Sequence, residues 1–550
     1  MRYGWFISFL ACLFAGVPVT AASEAGRVVL LVNSNVPESM EVARHYVSRR
    51  AIPEENIISL PMPVEETVSV RQYVDSIYNP LLAVLKDKGW VKGVRSHRPD
   101  HVGRRRMSIC LHDIAYLVTT YGVPLRINND PELLEPGVAE QSAILQVNRG
   151  SVDSELAVMA IPEPLPLASL VRNPYFEKKL ISTQDAGGYI RVCRLDGPSA
   201  GAVKKLIDRS IEAEQSGLRG RAYFDIGGPH KQGDAWFNAA ADLAEAAFFD
   251  MDVETSRRGM DHRDRLDAPA IYMGWYRNKA YGPWAEARWE VPPGALAFHL
   301  HSFSATTVRS RSKAWVGPLV AQGYCMTIGN VFEPYLEFTH RPQLLLEHLL
   351  SGGSFGEAAA YSYPVASWMG IAVGDPLFRP FAVSLEKQLE ADPEGVLAPY
   401  AHLRQINRME KEDGRGAALQ YARSRFLKAP SLPLAYKLAS LHVAAGNPEK
   451  AVEALKFIRF LRFFSKEERI LVKKMADLLH QNGESQLAFD LYEKLLADPA
   501  LSKNLQIALL TDGSEVAAAA GETMTGAKWS SKALQLKQPP TPQLKPAQKG

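Results

Sequence analysis

The sequence has little cysteine, little net charge and few long apolar segments, and each shortage narrows the class of protein. Only 4 of the 550 residues are cysteine, and their spacing fits neither a disulfide framework nor a zinc site. The 63 basic and 60 acidic residues leave a net charge of +3, too small to indicate nucleic acid as a partner. No glycine-rich phosphate loop is present. We therefore predict no cofactor, no bound metal and no nucleic-acid partner.

The amino terminus is the one place where an export signal is predicted. Arg2 precedes an apolar segment from Trp5 to Val19, and the small residues from Val19 to Ser23 follow it. This is the pattern of a secretory signal peptide, and the segment is too short for a membrane-spanning helix. We predict a signal peptide over residues 1–22 and a periplasmic or secreted bacterial protein with no membrane span after signal removal.

Residues 27–384 alternate short apolar runs with segments of helical spacing, which is typical of a parallel α/β sheet. The runs are near-continuous, as in strands covered on both faces. They lie at 27–33, 57–60, 114–121, 189–194, 221–225, 268–275, 295–301 and 324–329. We predict one α/β domain with a mostly parallel sheet flanked by helices.

After about residue 384 the strand pattern ends and a helical repeat begins. Gly446 and Gly483 each separate two helical runs, and an alanine follows each glycine after five residues, at Ala451 and Ala488. The interval of 37 residues is near that of tetratricopeptide repeats, which this region resembles. We predict an all-α repeat domain over residues 398–534 that binds a protein partner, and a disordered tail over residues 535–550.

Two groups of polar residues are candidates for a site. In open parallel sheets, ligands bind at the carboxyl ends of strands. The runs at 295–301 and 324–329 lead into polar residues at their carboxyl ends: His301, Ser302, Asn330 and Glu333. The second group is Asp153 and Glu155, which would share a face of an extended backbone and could serve in acid/base chemistry or bind a cation.

The order of the elements in residues 28–381 resembles that of the gingipain-type cysteine peptidases, whose catalytic domain has a caspase-like fold. The resemblance depends on four segments: Tyr116–Pro124, Ser151–Asp153, Val192–Pro198 and Gly374–Leu377. In that family a His follows one strand and a nucleophilic Cys ends the next. Trp275 and Ser302 stand at those places here, so the resemblance implies a pseudoenzyme that has lost the thiol mechanism.

The chain is more similar still to an uncharacterised family of secreted bacterial proteins. Three blocks carry this resemblance: Phe298–Ser304, Thr327–Pro334 and Gly374–Pro380. It implies relatives but no reaction, and the helical repeats are an addition that only some members share.

Three functions are consistent with these residues. The preferred one is a degenerate peptidase-like domain that binds a peptide or envelope partner through Trp275, Tyr276, Asn330, Glu333, Asp153 and Glu155, with the repeats as a second interaction surface. The second is a hydrolase that uses Ser302 as nucleophile, with His301 and His340 as further candidate catalytic residues. The third is a metal-binding hydrolase that uses His299 and His301.

Overall fold

The computed structural model describes residues 24–538 except 97, 136, 163–164, 180–184, 286–290 and 392–394. The predicted signal peptide and residues 539–550 of the predicted tail lie outside the described residues. At the start of that tail, residues 535–537 form the end of a helix. No helix within the described ranges is both long and apolar enough to cross a membrane.

A mostly parallel sheet of ten strands organises the first region, and the apolar runs predicted eight of these strands. The strands are β1 Val28–Asn33, β2 Ile57–Leu60, β3 Tyr116–Thr120, β4 Arg191–Leu195, β5 Arg221–Asp225, β6 Met251–Glu254, β7 Pro269–Gly274, β8 Leu296–His299, β9 Met326–Asn330 and β10 Gly370–Gly374. Their order across the sheet is β6-β5-β7-β8-β9-β10-β4-β3-β1-β2.

The strand pairs fall into two parallel groups. β2, β1, β3 and β4 pair in parallel, as do β6, β5, β7, β8 and β9, whereas β9 pairs antiparallel with β10. One residue pair, Arg194 with Val373, joins β4 to β10. Both faces are covered: on β1, Leu30 packs into the core on one face and Leu31 into the core on the other.

Helices and short strands surround this sheet. The α-helices are Pro37–Arg50, Val70–Tyr73, Asn79–Asp87, Val152–Ala157, Ala200–Ser216, Lys231–Ala246, Val316–Gln322, Pro342–Leu350 and Phe355–Ser362. The short strands are Thr67–Val68, Val91–Arg95, Met107–His112, Arg126–Ile127, Gly150–Ser151, Val171–Arg172 and Val365–Ala366. They form three small sheets beside the main one.

The loops that follow β3, β4 and β8 meet at one edge of the main sheet. Nη2 of Arg309, after β8, donates to the carbonyl of Val123 at 3.0 Å and lies 3.5 Å from Oδ2 of Asp196. The backbone N–H of Val308 donates to Glu66, in the segment after β2. This edge therefore collects carboxyl ends from both groups of strands, which is where α/β proteins bind ligands.

In the second region, residues 385–391 and 395–538 as described, the regular elements are all helices. They are Leu385–Ala391, Ala398–Glu412, Arg415–Lys428, Leu432–Ala444, Pro448–Leu455, Arg469–Gln481, Ser485–Leu496, Lys503–Ala519 and Thr523–Lys537. Gly446 and Gly483 have left-handed φ angles of 72° and 90° at the turns within two helix pairs. Ala451 and Ala488 are fully buried, because the paired helices approach closely there. We call residues 398–537 the helical array.

The helical array contacts the sheet at the amino ends of β6 and β7. The hydroxyl of Tyr400 donates to Oδ2 of Asp267 at 3.0 Å, and Arg265 pairs with the same carboxylate at 2.8 Å. Lys437 pairs with Asp250 at 3.2 Å, directly before β6. These polar contacts hold the array at the end of the sheet opposite the carboxyl edge.

Candidate functional site

The carboxyl edge brings together most of the residues predicted there. Residues after β7, β8 and β9 surround a small cavity of about 60 Å³, whose lining includes Trp275, Tyr276, His301, Ser302 and Glu333. Asn330 lies beside it, and its Nδ2 donates to the carbonyl of His301 at 3.3 Å. We call this cavity and its rim the cleft.

The hydroxyl of Ser302 is paired with a phenol. Its Oγ lies 3.4 Å from the hydroxyl of Tyr276. Nδ1 of His301 accepts from the backbone N–H of Phe303 at 3.2 Å, and the imidazole lies against the Tyr276 ring at a centroid distance of 4.7 Å. Burial lowers the pKa of His301, although Glu333 acts to raise it. This geometry holds Ser302 beside an aromatic hydroxyl, whereas a hydrolase needs it beside a base.

Trp275, which the sequence predicted as a binding residue, is buried in the wall of the cleft. The residue is 3% exposed, and its Nε1 donates to Oδ1 of Asp234 at 2.8 Å. A Cβ atom at Gly228 or Gly233 would lie 2.1 or 1.9 Å from the indole, so these glycines form the slot that the ring fills. Tyr276, at 42% exposure, is the aromatic side chain that faces solvent.

His299 is a core residue and is unsuited to the metal role. Its ring stacks on Trp315 at 3.6 Å. Its Nδ1 pairs with the Tyr272 hydroxyl at 2.7 Å, and its Nε2 accepts from the backbone N–H of Arg277 at 3.0 Å. Burial lowers its pKa well below the usual value. β8 ends at His299, so His301 does not continue the alternation that would place both imidazoles on one face. The described residues contain no cluster of three metal-ligating side chains.

His340 belongs to a different cavity from Ser302. It stacks on Tyr363 at 4.1 Å, and burial lowers its pKa to about 3. The cavity that it lines has a volume of about 70 Å³ and is also lined by Asp153. The role of base toward Ser302, predicted from sequence, is therefore not supported by its position.

Asp153 and Glu155 do not share a face, because residues 152–157 form a helix and not the extended segment that would align them. Two residues along a helix turn the side chains by about 200°. Asp153 makes two hydrogen bonds of 2.6 and 2.9 Å to the fully buried Arg194. Glu155 accepts from the N–H of Ala168 and from the Ser367 hydroxyl, and its Oε2 has no hydrogen-bond partner among the residues that the structure describes. Burial raises the pKa of Glu155 to about 7.

A larger cavity beside the cleft was not predicted. It measures about 320 Å³, shares the wall of Trp275 and Tyr276, and is also lined by Asp225, Arg257 and Arg277. Burial raises the pKa of Asp225 to about 6. Asp225 is the last residue of β5, so the rule that pointed to Ser302 and Glu333 could have identified it as well.

Two arginines at this edge were also missed. The guanidinium groups of Arg126 and Arg149 lie 5.1 and 5.4 Å from the ring centroid of Phe332. Arg126 begins the short strand Arg126–Ile127 and Arg149 lies in a loop, both far from Phe332 in sequence, and no local pattern marks them.

Two pentapeptides have the Gly-x-Ser-x-Gly spacing of hydrolase nucleophiles, at 197–201 and 352–356. In both, the serine caps a helix: Ser199 Oγ accepts from the N–H of Ala202 at 3.2 Å, and Ser354 Oγ accepts from that of Glu357 at 3.3 Å. Ser199 also has an extended φ of −163°. Neither serine has the strained turn of a nucleophile elbow, so the spacing here reflects helix capping.

The buried thiols are poor nucleophiles. Burial raises the pKa of Cys325 to about 11 and also raises that of Cys193. All three cysteines of the described chain are free, and only Cys110 is exposed. A thiol reacts as its thiolate, which burial disfavours at both positions.

Comparison with known proteins gives no family. No family model matches the chain, and no curated protein matches it. Among solved structures, the MamA protein is 16% identical over 28% of this chain and 78% of its own, with a TM-score of 0.19. The tetratricopeptide-like repeats of a putative kinesin light chain from Podosopora anserina are 17% identical over 28% and 83%, with a TM-score of 0.22.

A structure described as a protease is 9% identical over 65% of this chain and 79% of its own, with a TM-score of 0.31. All three TM-scores are below 0.5, so none of these structures defines the fold of either region.

Proposed function

We propose that this is an exported protein whose cleft binds a peptide segment of an envelope or secreted partner without thiol catalysis. The proposal depends on two side chains, Trp275 and Ser302, which stand where gingipain-type peptidases have His and Cys. Trp275 is hydrogen-bonded to Asp234, and Ser302 lies beside the Tyr276 hydroxyl. An indole cannot act as a base, and a serine without one is a weak nucleophile.

The rim of the cleft has features that suit peptide binding. Tyr276 and Phe303 are 42% and 41% exposed, and the His301 ring lies between them, with centroid distances of 4.7 and 6.4 Å. Aromatic rings with polar tips contribute apolar contact and hydrogen bonds at low entropic cost. At the same edge of the sheet, after β9, the arginines around Phe332 add positive charge. A peptide with an apolar side chain and an acidic neighbour matches this combination.

The helical array supplies a second contact surface in this proposal. Stacked helix pairs present an extended concave face, which such arrays use to bind partner proteins. Because the array is attached at the amino ends of β6 and β7, it leaves the cleft open. The protein would then act as an adaptor that holds two partners, or two parts of one partner.

The test uses peptides selected by phage display against the protein, with affinities measured by fluorescence anisotropy. We expect Tyr276→Ala to weaken the binding of a selected peptide at least tenfold, about 1.4 kcal/mol. The matched control is Leu111→Ala, which removes a side chain of 48% exposure from a hairpin elsewhere. Equal affinity for the two variants would contradict binding at the cleft.

Catalysis is tested on the same peptides by mass spectrometry. We expect no cleavage, and no effect of thiol-directed inhibitors on binding. Cleavage that disappears in Ser302→Ala would replace this proposal by a serine hydrolase. Cleavage that disappears in Cys325→Ala would place a nucleophile directly before β9.

A further inference from the structure

One segment of the helical array carries the two most exposed aromatic side chains among the described residues. Phe460 is 78% exposed and Phe463 is 90% exposed. Between and beside them, Phe457, Leu461 and Phe464 pack against the core of the array. The segment is thus anchored on one side and projects two phenyl rings into solvent on the other. Exposed aromatic side chains of this kind mark interaction surfaces.

This segment is also where the repeat is irregular. The second helix of its pair, Pro448–Leu455, has 8 residues, whereas Arg415–Lys428 has 14 and Ser485–Leu496 has 12. A 3-10 turn over Lys456–Phe460 follows, and the next helix begins only at Arg469. The repeat interval here is 37 residues, longer than the 34 of a tetratricopeptide repeat. Packing of the helix pairs alone does not require such a loop.

The charges of the segment have one sign. Residues 456–466 contain four cationic side chains, Lys456, Arg459, Arg462 and Lys466, and no carboxylate. All four are exposed. Within the described parts of the chain, no carboxylate lies within ion-pairing distance of Lys456, Arg459 or Arg462. These eleven residues thus carry +4, and the two carboxylates that follow, Glu467 and Glu468, lie at the carboxyl-terminal end of the segment, where Glu468 accepts from the backbone N–H of Ser465 at 2.8 Å.

We infer that residues 456–466 dock the protein on an anionic lipid surface. Cationic side chains are attracted to anionic headgroups, and aromatic rings beside them insert at the headgroup boundary. A side chain that is 90% exposed projects from the surface, which suits a fluid headgroup layer. This inference rests on the array and is independent of the cleft.

The test is co-sedimentation of the chain from Ser23 onward with vesicles, since this chain includes every described residue but omits the apolar leader. One set of vesicles is phosphatidylcholine with a quarter phosphatidylglycerol, and the other is phosphatidylcholine alone. We expect binding to the anionic set that is at least tenfold stronger, and loss of that difference at about 0.5 M salt, where charges are screened beyond a few ångströms.

Two double variants separate the contribution of the aromatic side chains from that of the cationic side chains. We expect Phe460→Ser/Phe463→Ser and Arg459→Gln/Arg462→Gln each to weaken binding to anionic vesicles at least tenfold. The matched control is Val396→Ser/Met524→Ser, which removes side chains of 91% and 77% exposure outside the segment and should leave binding unchanged. Circular dichroism of each variant checks that the array remains folded.

Three results would overturn the inference. One is equal binding to the two vesicle sets, and another is equal loss of binding in the control variant. The third is no vesicle binding together with capture of a polyglutamate peptide that depends on Arg459 and Arg462, which would assign the segment to an acidic protein partner.

Discussion

Nε1 of Trp275 donates a 2.8 Å hydrogen bond to Oδ1 of Asp234, the oxygen that also accepts from the backbone N–H groups of Gly227 and Gly228. One carboxylate oxygen therefore ties the loop after β5 to the first residue after β7. Trp275 thus acts as a structural element of the cleft wall, and Tyr276 provides the accessible surface.

This relationship predicts a graded loss of stability at position 275. Trp275→Phe keeps a ring in the slot but removes a donor to a carboxylate, which should cost about 1.5–3 kcal/mol. Trp275→Ala should cost about 3–5 kcal/mol because it also leaves a cavity. Urea denaturation measures both, with Tyr276→Phe as the control that should change little. Equal stability of all three variants would mean that the indole does not hold the loops together.

Glu155 predicts a pH dependence of stability. Burial raises its folded-state pKa from an ordinary value of 4.5 to about 7, so between these values the unfolded chain releases a proton that the folded chain retains. Stability therefore falls as pH rises from about 4.5 to 7, by on the order of 3 kcal/mol. Glu155→Gln keeps an acceptor for Ala168 and Ser367, and its amide faces a cavity of about 180 Å³.

We expect Glu155→Gln to be more stable than the natural protein at pH 8 and similar at pH 4.5, by urea denaturation at each pH. Glu140→Gln, in an exposed turn, is the matched control and should keep the natural pH profile. A difference between Glu155→Gln and the natural protein that is the same at both pH values would contradict the assignment.

Asp267 predicts the strength of the junction between the helical array and the sheet. Burial alone would raise its pKa, but Arg265 and Arg221 lower it to about 2. Asp267→Ala leaves buried arginine charge uncompensated and should cost about 3–5 kcal/mol. Tyr400→Phe removes one hydrogen bond to the same carboxylate and should cost at least about 1 kcal/mol.

The readout is limited proteolysis, with cleavage expected near residues 385–397 and faster in Asp267→Ala. The control is Glu410→Ala, which breaks a more exposed ion pair with Arg415 and should cost less than about 1 kcal/mol. An unchanged cleavage rate in Asp267→Ala would show that the array keeps its position without this carboxylate.

The predicted signal peptide at residues 1–22 implies a defined amino terminus for the mature protein. If residues up to Ala21 or Ala22 are removed on export, sequencing of the secreted or periplasmic protein should begin at Ala22 or Ser23, because small residues precede those positions. Recovery of a chain that begins at Met1 in the membrane fraction would contradict this prediction.

Continuous apolar runs made most of the sheet predictable from the sequence. β1 and β3 are buried at every residue, and their polar residues, Asn33, Thr119 and Thr120, come only at the carboxyl ends, so the apolar runs before them are unbroken. β6 was missed because it is a partly exposed strand at the sheet margin, with two carboxylates among its four residues. β10 was missed because three of its five residues are glycine or alanine, which indicate no strand.

The sequence predicted at which edge of the sheet the site lies, but not the position of each side chain. The carboxyl-end rule grouped Ser302 and Glu333, and both line one cavity. The slot for Trp275 depends on Gly228 and Gly233, more than 40 residues earlier, so no local pattern shows that its ring is buried. Asp153 and Glu155 were misplaced because a six-residue helix at 152–157 is too short to show a helical period.

The attachment of the helical array at the amino ends of the strands sets a minimum reach for any bivalent partner. β7 has six residues between the junction and the cleft, which at about 3.3 Å per residue separates the two by roughly 20 Å. A short linear motif of four or five residues can therefore engage one end only. A partner that binds the cleft and the helical array at once gains affinity from the linkage only if its linker spans this distance.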